Sequence, residues 1–140
     1  MKRFEFALEP LLRLRRQERR NAENNLLVAR QAAGRLAAAM RAVHERLQQG
    51  VRAEQPGAAL QEGVWLARQG QHLADLGSQL LAARKEAARC AQVFTVAQQR
   101  EEAVLALRDR KKEAWRRTAL RTEQAVLDEV GQRKKSDIFR

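Results

Sequence analysis

Tyrosine is absent from this chain, and phenylalanine and tryptophan together make up only 4% of it. That shortage argues against a rounded core of ordinary composition, where aromatic side chains carry much of the buried area. Only two prolines occur, Pro10 and Pro56, so long stretches contain nothing to interrupt a helix. The single cysteine, Cys90, excludes an intrachain disulfide. No run approaches the roughly 20 apolar residues of a membrane span. The opening charges Lys2, Arg3, Glu5, Glu9 and Arg13 leave no uninterrupted apolar stretch for a secretory signal, so a cytoplasmic protein is expected.

What the chain does have is periodicity. Ala22, Leu26, Ala29, Ala33, Leu36, Met40, Val43 and Leu47 alternate spacings of four and three without a slip, which is a heptad seam. The same alternation runs back through Arg19, Arg15, Leu12 and Leu8, so the seam turns partly basic towards the N-terminus. Before it, Phe4, Phe6 and Leu8 alternate with polar residues, suggesting a short extended segment or a frayed helix start. Pro10 suits a first helical turn, and the spacing predicts helix over 9–49, about 60 Å long.

Gly50 to Gly63, with Pro56-Gly57 at its centre, concentrates the chain's helix breakers and predicts a hinge, with Gly50 as a helix stop. A second seam follows: Leu66, Gln69, Leu73, Leu76, Leu80, Ala83, Ala87, Cys90, Phe94, Ala97, Glu101 and Val104. It predicts a helix over 64–130, beginning somewhere between Pro56 and Val64, and a basic tail over 131–140. Cys90, on this seam, is expected to be a buried small apolar residue. Folding back at the hinge and matching Leu47 with Leu66 brings Met40 to Leu73, Ala33 to Leu80, Leu26 to Ala87 and Arg19 to Phe94. Gly63, Gly70 and Gly77 should soften the hinge end of the second helix.

The expected fold is therefore all-α: one long antiparallel two-helix coiled-coil hairpin, mainly monomeric, with an overhanging C-terminal helix. On that register about 25 residues of the second helix have no intrachain partner. Within them Trp115, Ala119, Leu120, Val126, Leu127 and Val130 form an imperfect apolar stripe, and Trp115 among Arg110, Lys111, Lys112, Arg116 and Arg117 has the composition of an interface anchor.

Net charge is +11, and it is concentrated at the ends. Residues 1–20 carry seven Lys/Arg against three Glu, and residues 108–140 eleven basic against six acidic, whereas 58–107 balance at five each. Folding the chain back would gather the ends into one basic pole. No catalytic constellation is visible: His44 and His72 lie far apart with no cysteine partner for zinc, and adjacent Glu101 and Glu102 point in different directions on a helix. There is no glycine-rich phosphate loop, and a two-helix hairpin offers almost no pocket. Neither cofactor nor metal is expected.

The opening Phe4-Glu5-Phe6-Ala7-Leu8-Glu9-Pro10-Leu11-Leu12-Arg13-Leu14-Arg15, followed by Gln17-Glu18, resembles the start of FliJ, the small cytoplasmic component of the flagellar type III export apparatus. Arg121-Thr122-Glu123-Gln124-Ala125-Val126-Leu127-Asp128-Glu129 is similar to that family's closing stretch. The resemblance implies a non-enzymatic antiparallel coiled coil, like the rotor stalk of F-type ATPases. Such a stalk engages the ring of the export ATPase and contacts the export gate membrane protein, peripherally at the inner membrane, with export chaperones as further candidate partners. On that reading the basic terminal end enters the ring, with Arg13, Arg16 and Arg20 as charged contacts and Trp115, Leu120 and Leu127 as apolar ones.

Three alternatives belong beside it. The stalks of virulence type III secretion systems are built alike. An isoelectric point near 11.3 suits a nucleic-acid binder, although Glu18, Glu23, Asp109 and Glu113 interrupt the basic runs and no aromatic stacking platform appears. A plain self-associating coiled coil is the third.

Overall fold

The computed structural model describes residues 2–50 and 59–138, and it is all-α: two long helices pack against each other as a helical hairpin. Helix α1 spans Glu9–Gly50 and α2 spans Ala59–Ile138. The start of α1 follows from its first residues. Ala7 and Leu8 form a turn in which the Glu9 N–H donates to the Phe6 carbonyl at 3.1 Å, and Pro10 loses no hydrogen bond in the first helical turn. Glu9 places its carboxylate at the positive end of the helix dipole.

Helix α2 begins inside the expected Pro56–Val64 window and runs further at its C-terminal end than its hydrophobic pattern predicts. It already includes Ala59–Gly63, expected as hinge, while residues 51–58 of that hinge lie outside the described residues. At the far end it passes through Gly131 and makes most of the expected basic tail helical. Local pairs account for this: Arg133 donates to Glu129 across Gly131 at 2.9 Å, and Lys135 sits in the last turn, where cations are favourable. Among the described residues no helix is long and apolar enough to cross a membrane.

The chain divides into two compact units. In the unit formed by residues 18–97, α1 and α2 run antiparallel: Met40 lies against Gly77, and Gly50 against Trp65. Ala22, Leu26 and Val43 are buried on α1, and Leu76, Leu80, Cys90 and Ala97 on α2. Ala29, Ala33, Leu36, Met40, Leu47, Leu73, Ala83, Ala87 and Phe94 are half-buried between them. This alternation of full and partial burial is what a narrow two-helix seam allows, since small alanines admit a close approach but leave solvent at both rims. Arg19, a seam residue, ends its guanidinium on Glu23 at 3.0 Å.

The register differs from the Leu47–Leu66 matching. Met40 reaches Gly77, four residues beyond Leu73, with its terminal methyl 3.9 Å from where a Cβ on Gly77 would stand. At the hinge end Leu66 is 39% exposed, whereas Trp65 turns its indole onto Gly50. Gly50 is the last residue of α1, in line with its expected place as a helix stop. A Cβ there would lie 2.5 Å and 2.6 Å from two indole carbons, so the bare Cα is what admits the ring.

Cys90 is buried, and its thiol contacts Glu86 Oε1 at 3.6 Å. Arg89 donates twice to the Glu86 carboxylate, at 3.0 and 2.6 Å. That hydrogen bonding holds Glu86 below its ordinary pKa and raises Arg89 above its own.

In the unit formed by residues 2–17 and 98–138, Leu12 is wholly inaccessible and Val104 nearly so. Burying a leucine side chain to this degree contributes about 2 kcal/mol. Glu101 is buried beside them on the seam face, with its carboxylate 3.8 Å from the Arg16 guanidinium, and has further contacts. Glu102 is exposed, so the two adjacent carboxylates occupy different faces.

Candidate partner-binding face of α2

The Arg108–Ile138 part of α2 is built to remain a helix with little packed on it. Its charges are spaced to satisfy one another along the surface: Arg116 and Arg117 both reach Glu113, at 4.0 and 3.5 Å, and Gln124 donates to Asp128 at 3.3 Å. Each such pair contributes about 0.2–0.5 kcal/mol to an isolated helix. Thr118 and Thr122 donate their hydroxyls to the carbonyls of Ala114 and Thr118, so neither competes for a backbone N–H.

At about 100° per residue, Trp115, Ala119, Thr122, Val126 and Val130 share an arc of about 80°. It is the same face that carries buried Glu101 and Val104 and half-buried Arg108. The seam of α2 therefore continues in sequence and direction past the point where anything lies on it. Val126 is 54% exposed and Val130 46%. A shallow hollow lined by Thr122, Glu123, Val126 and Leu127 opens on this face.

The residues singled out from sequence do not all fall on it. Trp115 does, but its ring is partly covered by Phe4, with centroids 6.0 Å apart and planes tilted by 53°. Leu120 and Leu127 are exposed one heptad apart on a flank, roughly 110° round from the stripe's centre. Arg13 is exposed in the same unit, whereas Arg16 is engaged by Glu101. Arg20, in the other unit, is exposed. Val126 and Val130, members of an imperfect stripe in the sequence, are the residues in line with Trp115. From sequence alone Leu120 and Leu127 stand out instead; in-register spacing from the seam is the signal that would have pointed to Val126 and Val130.

The face is apolar, flanked by Lys111, Lys112 and Arg116 near Trp115 and by Glu123 and Glu129 near Val126. Among the described residues no cluster of three His, Cys, Asp or Glu side chains could hold a metal. No protein-family model matches the chain, and neither a curated protein nor a solved structure is measurably similar to it.

Proposed function

We propose that this protein is a non-enzymatic stalk of the flagellar type III export apparatus, of the FliJ kind, working on the cytoplasmic side of the inner membrane. It engages the export ATPase through the uncovered face of α2 and links that ATPase to the export gate. The observation that carries the reading is the continuation of the α2 seam, from buried Val104 to exposed Val126 and Val130, beyond the basic run over residues 108–121. A helix that keeps an in-register apolar face, exposed at Val126 and Val130, is suited to insert into another protein. The resemblance of the two terminal motifs to those of the FliJ family and the basic charge of both ends support the same partner.

The test is binding of the purified export ATPase, followed by biolayer interferometry at physiological salt. Replacing Val126 and Val130 with Asp abolishes binding while helicity by circular dichroism is kept. Reversing Arg13 and Arg20 to Glu weakens it. Arg16 is left out of that set because its charge is tied to Glu101. Undiminished binding by both variants would refute the site.

The excess of basic residues in α2 favours nucleic acid as a second reading, distinguished by salt. Binding that vanishes by about 200 mM salt is bystander charge, whereas sequence preference that survives it would replace the stalk reading. Binding only to a virulence-system ATPase would move the protein to that apparatus.

A further inference from the structure

Lys2–Phe6 has no regular structure, yet its alternation places side chains in order: Phe4 and Phe6 are half-buried while Arg3 and Glu5 are exposed. Phe4 covers Trp115, and Lys2 lies at the edge of a hollow formed by Trp115, Thr118, Ala119, Thr122 and Glu123. The segment thus rests where the buried seam of α2 gives way to the uncovered stripe. Its hold is slight. Among the described residues no hydrogen bond or ion pair ties residues 2–5 to α2, and the Phe4–Trp115 ring pair is the aromatic contact that does so. The Ala7-Leu8 turn that follows gives the segment a fixed pivot at the start of α1.

We propose that Lys2–Phe6 is a displaceable strap. It shields Trp115 while the chain is alone and must leave before a partner can occupy the α2 face continuously from Trp115 to Val130. The strap lowers the affinity of the free protein for its partner by the free energy of its own contact. This inference rests on the export ATPase being that partner. An aromatic pair of this kind corresponds to roughly a two- to twelvefold change in affinity when converted at 1.4 kcal/mol per tenfold.

The experiment uses the full chain with Trp65→Phe, so that Trp115 is the only tryptophan, and a C-terminal tag that leaves the strap unencumbered. Phe4→Ala and a deletion of residues 2–6 are compared with this parent in two measurements: acrylamide quenching of Trp115 fluorescence, and affinity for the purified export ATPase. The strap predicts greater quenching in both variants and ATPase binding tightened three- to tenfold. Binding by the variants but not by the parent would support strap and partner together. Binding by the parent that is equalled or weakened in the variants, or quenching that Phe4→Ala leaves unchanged, would overturn the strap alone. Absence of binding by all three would overturn the partner assignment and the strap with it.

Discussion

Two glycine-to-alanine substitutions in α1 should change stability in opposite directions. Gly34 has open space where a Cβ would go. Alanine there gains helix propensity and should stabilise the fold by about 0.5–1 kcal/mol. At Gly50 the same propensity gain meets the Trp65 indole, whose carbons stand 2.5 Å and 2.6 Å from the new methyl. Ordinary contact begins near 3.4 Å, so the ring must retreat by about 1 Å, and an indole cannot bend to do so. Overpacking of this size costs about 1–3 kcal/mol. After subtracting up to about 1 kcal/mol of propensity, Gly50→Ala should destabilise by about 1 kcal/mol, a separation of about 2 kcal/mol from Gly34→Ala. Urea unfolding followed by circular dichroism at 222 nm resolves that difference. The double mutant Gly50→Ala/Trp65→Ala should be no less stable than Trp65→Ala alone, because the obstacle has gone. If Gly50→Ala stabilises as much as Gly34→Ala, the Trp65 contact does not hold that end together.

Leu12→Ala should cost about 2–4 kcal/mol, since its side chain is wholly buried, whereas Leu127→Ala, at a position 64% exposed, should stay within about 0.5 kcal/mol in the same urea assay. Glu101→Leu should be neutral or stabilising, because an apolar residue on the seam avoids carboxylate desolvation. Arg16→Glu should destabilise by about 1 kcal/mol, a value reduced because Arg16 is partly exposed and 3.8 Å away. Cys90 should react with a thiol reagent such as DTNB only at the rate at which the hairpin opens, so labelling accelerates steeply through the urea transition.

The seam was legible because apolar spacing of four and three reports one buried face whatever the partner. Leu26, Val43, Leu76, Leu80 and Cys90 are all buried where that spacing puts them. Register was not legible, since a heptad pattern matches itself after every seam step. Trp65 and Gly50 meet in a contact that no heptad count predicts, because a missing side chain admits an aromatic ring. Helix α2 runs to Ile138 for a related reason: Gly131 and the surrounding charges carry no apolar period, and the pairs that hold them are i,i+4 ion pairs. On the candidate face, Trp115 stood out by composition, but its cover, Phe4, lies more than a hundred residues away in sequence and outside any helical period. Leu120 and Leu127 stood out by size. Their direction becomes plain only once the face is traced from buried Val104.

The most direct measurement is ATP hydrolysis by the cognate flagellar export ATPase at physiological salt, with the whole chain, with a chain ending at Arg108, and with Val126→Asp/Val130→Asp. Stimulation by the whole chain that is lost in both altered forms is the predicted result. Equal hydrolysis with and without the whole chain, together with no detectable binding, would contradict the stalk assignment while leaving the helical hairpin in place.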